Sequence, residues 1–292
     1  MRRKHALSLS LLLFALLLSG CGAGGGGTLV SDDETYETTG EDAGDYELED
    51  NRALYREEED VVTMYLTVGR GNEGEDTDHT WTEVNSYPLD YYDEKGIDPY
   101  KCEAVLQVGD EEGPLVGEFG YEDRTANATV QLRGHGASTW PQKSYRIKLK
   151  DGSGTWRDQQ TITLNKHVAD PLRFKNKLAY SLLEDIPGAI SARPQFVHLY
   201  VKDKTEGEDG LFVDYGLYTQ VEQINKKYLR NRGFDSDGAL YQATEEFDWQ
   251  RHEDSIRKAT DPDYDREFFE QYLEIDGSED HSSLVQLLEA VN

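Results

Sequence analysis

The middle of the chain alternates between apolar and polar positions, which is the pattern of half-buried β-strands. The clearest example is the stretch 144–150, where Tyr145, Ile147 and Leu149 share one face and basic residues occupy the other. Several other stretches are rich in β-branched and aromatic residues, which favour strands. Further strands are predicted at residues 61–68, 102–108, 114–121, 127–133, 161–164, 195–201, 211–224 and, after a turn, 234–242.

Helical patterns concentrate in the second half of the chain. The first helix is predicted to begin at Asp170-Pro171, because Asp is a good N-cap and Pro suits the first helical position. Its apolar stripe would comprise Leu172, Phe174, Leu178, Ala179, Leu182 and Leu183. Further helices are predicted at 226–232, capped by Asn225, at 264–275 and at 282–291. Residues 69–98 are interpreted as a polar insertion, and the whole pattern predicts an α+β fold.

The first twenty residues have the pattern of an export signal. Arg2, Arg3 and Lys4 precede an apolar stretch that is too short to span a membrane as a mature helix. Small residues then lead to Cys21, as in the lipobox of a bacterial lipoprotein. The spacing favours this interpretation over an ordinary cleaved signal or an uncleaved anchor. We therefore predict a signal peptide at 1–20, a lipid on Cys21 and a location on the extracytoplasmic face of the cell membrane.

A flexible acidic tether is predicted at residues 21–60. It opens with a glycine run and continues with a stretch dense in Asp, Glu and Thr, which cannot bury enough apolar surface to fold. The folded domain is predicted at 61–292. Its last helix has an apolar stripe that needs a partner surface, and no C-cap follows it. We interpret the domain as truncated, with a C-terminal lobe missing.

Composition narrows the set of partners. The 292 residues carry a formal charge of −28, which repels nucleic acid. The chain has two cysteines, so a lipid on Cys21 leaves Cys102 unpaired, and we expect it to be a small buried hydrophobe. The seven histidines lack zinc-site spacing, and the run starting at Asp261 departs from a calcium loop, so no metal site is predicted.

One segment concentrates positive charge within this acidic chain. Residues 133–149 comprise a strand, a glycine-rich turn and a basic strand, with Arg133 and Lys143 bounding the turn. Gly134 and Gly136 would let the backbone approach a ligand closely, and Ser138 and Thr139 would add hydroxyl donors. Such a loop suits a phosphate group. A hairpin with a solvated basic face explains the same composition equally well.

The same segment resembles the signature of the CotH kinase family, which runs R-G-N-S-(S/T)-W and then K-K-S-Y-R-I-K-(L/F). The chain has Arg133-Gly134, Ser138-Thr139-Trp140 and the run 143–149, but has His135-Gly136-Ala137 where the family has one Asn, and Gln142 for the first Lys. Two later stretches, 170–180 and 215–222, are similar to the family's D-x-x-x-x-R-N-x-L-A-Y helix and its G-x-Y-x-x-x-E strand. The resemblance covers about residues 60–292.

The resemblance implies an atypical protein-kinase-like fold with an N-terminal β-rich lobe and the start of a helical lobe. It implies ATP and Mg²⁺ as cofactors and serine phosphorylation of surface or spore-coat proteins. Lys148 or Lys143 would be the phosphate-binding lysine, Glu222 its partner, and Arg133 a further phosphate contact. Lys148 is preferred for a nucleotide on the open face and Lys143 for one on the Tyr145 side. The family's catalytic aspartates are not found in this chain, so catalysis stays open.

Two other functions fit the sequence. The chain could be a non-catalytic surface binding or adhesion lipoprotein, since ATP is scarce outside a cell. It could also be associated with carbohydrate, because exposed Trp81, Trp140 and Trp156 would stack on sugars; core packing is the favoured interpretation for Trp140, which lies in the signature.

Overall fold

The chain divides into two compact units, one of residues 52–223 and one that joins residues 1–51 with 224–292. The computed structural model describes residues 17–18, 60–184, 186, 190–207, 210–244, 246–248 and 255–291. The predicted tether and Cys21 lie outside these residues, except for Asp60, and so does the signal peptide apart from a two-residue strand, Leu17–Leu18 (β1). Those predictions stay predictions.

The larger unit is built on a closed β-barrel. Its strands are β2 (Val61–Gly69), β3 (Lys101–Asp110), β4 (Gly113–Pro114), β5 (Ala128–Leu132), β6 (Tyr145–Leu149), β7 (Thr161–Asn165), β8 (Pro194–Asp203) and β9 (Val213–Glu222). They pair in the order β2-β8-β9-β7-β6-β5-β3-β4, and β3 also pairs with β2. This last pairing closes seven strands into a ring. The β2–β8 pairing is parallel and its neighbours are antiparallel.

Side-chain alternation explains the barrel. On β6, Tyr145, Ile147 and Leu149 are buried, whereas Arg146 and Lys148 are exposed, as the sequence predicts. On β2 and β8 the same period places Met64 and Leu199, which are paired across the strands, in the barrel core. Inward apolar residues from all seven strands therefore form one continuous hydrophobic core.

Among the described residues of the larger unit, four α-helices and a short 3₁₀ helix (Glu73–Glu75) accompany the barrel. The α-helices are α1 (Trp81–Ser86), α2 (Leu89–Lys95), α3 (His135–Ser138) and α4 (Lys175–Glu184). The first two lie in the segment interpreted as a polar insertion, for which no helix is predicted, and they bury Trp81, Val84, Leu89 and Tyr92. The strand predicted at 114–121 is wrong, because pairing stops at Pro114 and turns follow.

The helix predicted from Asp170 begins five residues later. Asp170 Oδ2 accepts the backbone N–H of Lys175 and its Oδ1 accepts that of Leu172, so it caps the approach to α4. The predicted apolar stripe is not a core face, since Leu172, Leu178 and Leu182 are exposed.

The smaller unit has a three-stranded antiparallel sheet of order β1-β10-β11. Its remaining elements are α5 (Lys226–Asn231), β10 (Ala239–Ala243), α6 (Arg266–Glu270), β11 (Leu273–Gly277) and α7 (Ser282–Val291). Its core packs Tyr241, Phe269, Leu284 and Leu288 together. Asn225 caps α5 and α7 spans 282–291, as predicted, whereas the helix predicted at 264–275 is a short helix followed by a strand.

The described residues have the mixed α and β content that the sequence predicts. Cys102 is buried and free, and burial raises the pKa of its thiol to about 12. Within the described ranges, no helix combines the length and apolarity needed to cross a membrane.

Candidate active site

A cavity of about 640 Å³ opens in the larger unit, lined by residues where β6 begins, where β7 ends and where β9 begins. Its volume is within the range typical of small-molecule sites. Helix α1 and the loop before β6 supply the remaining walls. The lining residues are Trp81, Thr82, Asn85, Ser86, Pro141, Gln142, Lys143, Tyr145, Lys166, Asp214, Tyr215 and Tyr218.

Four aromatic side chains form one wall. The rings of Trp81 and Tyr145 stack with centroids 5.0 Å apart, and Trp81 Nε1 donates a hydrogen bond to the Tyr215 hydroxyl at 3.0 Å. The Tyr145 hydroxyl donates to Asn85 Oδ1 at 2.8 Å. The ring of Tyr218 lies 6.2 Å from that of Tyr145. These hydrogen bonds hold the rings in place. Trp81, Tyr145 and Tyr218 are buried in the barrel core, so half-buried Tyr215 is the ring of this wall that a planar group can contact.

Lys166 is the buried cation of the cavity. It follows β7 directly, and its backbone N–H donates to Ser144 Oγ at 2.9 Å. Its ammonium donates to the Tyr215 carbonyl and lies 4.2 Å from the centre of the Tyr218 ring. Burial and the nearby Arg173 guanidinium lower the pKa of Lys166 to about 8. No carboxylate is hydrogen-bonded to it among the described residues, so its charge is available to an anion.

Lys143 adds a second cation from the signature loop. Its ammonium donates to the Ser138 carbonyl at 2.6 Å, and burial lowers the pKa of Lys143. The hydroxyls of Ser138 and Thr139, predicted as donors to a ligand, instead donate to the carbonyls of His135 and Gly136. The loop hydroxyls therefore shape the loop, and the lysine faces the cavity.

Arg173 and Arg133 do not line the cavity, but they donate hydrogen bonds to the segments that form its walls. Arg173 donates to the Lys166 carbonyl and, at 2.7 Å, to Gln142 Oε1, so it links the loop after β7 to the signature loop. Arg133 donates to Asn165 Oδ1, and burial lowers the pKa of its guanidinium.

The four predicted binding residues are not brought together. In the barrel register Ile147 pairs with Ile162 and Ile162 with Glu222, so Glu222 shares the inward face of Ile147. Lys148 is the next residue on β6 and faces outward. A Lys148–Glu222 pair is therefore not formed, and neither residue lines the cavity, whereas Lys143 does.

Sequence reasoning missed Lys166 and the contribution of α1. Lys166 belongs to no motif, and only the fold places it beside Tyr145 and Tyr218. The expectation about tryptophans is also corrected: Trp81 and Trp156 are buried and Trp140, in the signature, is exposed.

Two groups of acidic residues with a histidine each bring three potential ligand atoms within 4.8 Å of one another, and none of their residues lines the cavity. They are Asp76, Asp78 and His79, and Asp90, Asp93 and His135. In the second group His135 Nδ1 lies 3.1 Å from Asp90 Oδ1 and 3.3 Å from Asp93 Oδ2, so its ring is already a partner of both carboxylates.

The described lining residues of the cavity combine an aromatic wall with two lysines and one carboxylate, Asp214. That is a local excess of positive charge in a chain of formal charge −28. Such an arrangement can bind a ligand that has a planar aromatic part and an anionic part.

Residues 130–292, more than half of the chain, match the model of the family described as CotH kinase protein. No curated protein matches the chain. The family match begins inside β5, and it includes Lys143, Tyr145, Lys166 and the Asp214–Tyr218 stretch, but not α1.

Proposed function

The chain belongs to the CotH kinase family, and from this membership we propose that it binds ATP in the cavity beside β6 and phosphorylates serine in a partner protein. The observation that carries the proposal is the placement of Lys143 and Lys166 next to a wall of four aromatic rings. Lysines neutralise phosphate charge, and aromatic rings stack on a nucleobase. In this assignment Lys143 and Lys166 replace Lys148 as the phosphate-binding groups.

The residues present fit a nucleotide better than they fit its metal ion. The phosphates would lie near the two lysines and the base against the half-buried ring of Tyr215. Mg²⁺ usually binds through one or two carboxylates together with substrate phosphates, and Asp214 is the one carboxylate among the described lining residues. ATP would supply the phosphoryl group, and Lys143 and Lys166 would hold and orient its phosphates.

The proposed site of action and substrate rest on the sequence alone. A lipid on Cys21 and the acidic tether of residues 21–60 would present the domain on the extracytoplasmic face of a bacterial membrane. Surface or spore-coat proteins are the substrates that the family resemblance implies. The strongly acidic surface favours protein substrates over nucleic acid.

Calorimetry with ATP and Mg²⁺ tests the binding step on the full chain from residue 21. We expect Lys166→Met to weaken ATP binding by about 10-fold or more, because a charge-assisted contact is worth roughly 1.5–3 kcal/mol. Lys143→Met should weaken it in the same direction. Arg124→Gln, which removes an exposed charge outside the cavity, is the matched control and should leave affinity unchanged.

The pH dependence provides an independent check. The pKa of Lys166 is lowered to about 8, so its ammonium is present below that pH and is lost as pH rises through it. ATP affinity of the wild type should therefore fall between about pH 7 and pH 9, and that fall should be absent from Lys166→Met. Wild-type protein that binds no ATP, or a Lys166→Met variant that binds it normally, contradicts the proposal.

A non-catalytic binding role is the second candidate, favoured by the presence of a single carboxylate among the described lining residues of the cavity. It predicts ATP binding without transfer of the γ-phosphate to serine in any surface or coat protein. Labelled ATP incubated with such proteins separates the two functions.

A further inference from the structure

The backbone of β9 departs from regular pairing beside the cavity. Leu199 of β8 pairs with Gly216 and Tyr200 pairs with Asp214, so Tyr215 has no partner on β8 and forms a β-bulge. A bulge frees the peptide groups of its extra residue and turns its side chain. Here the free carbonyl of Tyr215 accepts the Lys166 ammonium, and its hydroxyl accepts the Trp81 indole N–H.

One carboxylate oxygen of Asp214 accepts two hydrogen bonds that stabilise the bulge. Asp214 Oδ1 accepts the backbone N–H of Gly216 at 2.6 Å and His198 Nε2 at 2.7 Å. The hydrogen bond from His198 lowers the pKa of Asp214, so the carboxylate is ionised at neutral pH. Gly216 has φ +71, in the left-handed region, and an added Cβ would lie 3.3 Å from Lys166 Nζ. Hydrogen bonds therefore connect His198 to Asp214, Asp214 to the bulge at Gly216, and the carbonyl group of the bulge to Lys166.

We infer that Asp214 and His198 are positioning residues that hold the Tyr215 bulge in the shape that aims Lys166 at an anion in the cavity. This inference rests on the proposed function for the identity of the anion, the phosphates of a nucleotide. Neither residue needs to contact that ligand. Asp214 also attracts the Lys166 ammonium, so it acts on the charge of Lys166 as well as on its position.

The effect of Asp214 on the position of Lys166 can be separated from its effect on the charge of Lys166. Among the described residues, Arg173 and Asp214 are the charged groups that shift the pKa of Lys166. Arg173 lowers its pKa and Asp214 raises it, and the Tyr218 ring and the Tyr215 carbonyl complete its surroundings. Asp214→Asn keeps an oxygen that accepts from Gly216 and His198 but removes the negative charge. Asp214→Ala removes both. Asp98→Asn, at an exposed position that does not line the cavity, is the control.

The first measurement is an NMR titration of the Lys166 side chain in ligand-free protein labelled with ¹³Cε-lysine, assigned with Lys166→Arg. We expect the Lys166 resonance to titrate at lower pH in both Asp214 variants, because the attraction of the carboxylate is lost. In Asp214→Ala its chemical shift should also move toward that of a free lysine. Asp98→Asn should titrate as the wild type does.

The second measurement is calorimetry with ATP and with inorganic pyrophosphate at pH 7. Asp214→Ala should weaken both by about 10-fold, Asp214→Asn by no more than about 3-fold, and His198→Gln, which keeps a donor, less than His198→Ala. Asp214→Ala with a wild-type Lys166 titration and wild-type affinity overturns the inference. Asp214→Asn as damaging as Asp214→Ala also overturns it, because charge alone would then explain the effect.

Failure of the proposed function gives a different result. If the wild type binds neither ATP nor pyrophosphate, the proposed function is wrong. The chemical shift of Lys166 in ligand-free Asp214→Ala, compared with that in Asp214→Asn, still decides whether Asp214 positions it. A lowered melting temperature without a change in the Lys166 resonance counts against the inference, since it indicates a structural role alone.

Discussion

Gly216 follows the cavity-lining residue Tyr215, and both its backbone conformation and the space around it disfavour a larger residue. Its φ of +71 is strained for any other residue, and a Cβ there would press on Lys166. We expect Gly216→Ala to cost roughly 1–2 kcal/mol of unfolding free energy through the backbone. We also expect it to weaken ATP binding several-fold, because Lys166 must move. Urea unfolding and calorimetry measure the two effects.

Gly152→Ala separates these effects. Gly152 also has a positive φ, +86, but an added Cβ there meets nothing within 4 Å. Its substitution should cost similar stability and leave ATP affinity unchanged. Equal losses of affinity in the two variants would show that the contact with Lys166 plays no part.

At the scale of single residues, the sequence predicted one of the two lysines that line the cavity. Lys143 was a candidate because it lies in a basic, glycine-rich signature. Lys166 was not, because its role depends on burial beside Tyr218 and on a bulge at Tyr215. Gly216 within the predicted strand is a signal of a bulge, but it does not indicate which side chain the bulge contacts. Lys148 was preferred from its exposed position, yet alternation on β6 turns it away from the cavity.

Among the secondary-structure elements, most predicted strands and helix α5 are found, whereas the strand at 114–121 is absent and helices α1 and α2 are not predicted. Alternation over five residues is enough to mark a strand, whereas α1 and α2 have six and seven residues and bury two apolar side chains each. A usable signal was present: Thr80 and Glu83 form a capping box, in the spacing typical of a helix start. Recognising it would have placed Trp81 on a helix and revealed one wall of the cavity.

Helix α7 depends on a buried histidine. His281 precedes it and is fully buried; its Nδ1 lies 2.8 Å from the Tyr241 hydroxyl and its Nε2 lies 3.1 Å from that of Tyr264. Each ring nitrogen of His281 thus has a tyrosine hydroxyl as its partner. In the neutral imidazole one nitrogen donates to its hydroxyl and the other accepts from its hydroxyl. Burial lowers the pKa of His281 below its usual 6.5, although Glu279 and Asp280 oppose this effect.

The lowered pKa of His281 predicts acid sensitivity of the smaller unit. Since the folded-state pKa of His281 lies below the unfolded value, the unfolded state binds more protons as pH falls below about 6.5. The stabilisation is complete above that pH and is lost on acidification, by about 1.4 kcal/mol for each tenfold difference in proton affinity between the folded and unfolded states. Hydrogen exchange of α7 amides at pH 5 and pH 7, corrected for intrinsic rates, should show lower protection at pH 5. His281→Gln should abolish that difference, and an unchanged difference in the variant contradicts the assignment.

On the scale of the whole molecule, the region that matches the family begins later in the chain than the barrel does. The match starts at residue 130, inside β5, whereas the barrel closes only through β2 and β3, which precede it. β2 pairs with β8 over eight residues, and β3 pairs with β5. The strands that the family match covers therefore rely on a segment outside it for their outer hydrogen bonds and part of their core.

This dependence predicts the outcome of two truncations. A chain of residues 124–292 keeps the matched region but leaves β8 and β5 with unpaired edges and exposes inward residues such as Val197 and Val130. Such edges promote association, so we expect this fragment to aggregate or to lack a cooperative thermal transition. A chain of residues 60–292 loses the predicted signal and tether but keeps all seven barrel strands, and it should be monomeric and melt as the chain from residue 21 does. Size-exclusion chromatography and circular dichroism measure both fragments. A monomeric 124–292 fragment that melts at the same temperature would show that the matched region folds without β2 and β3.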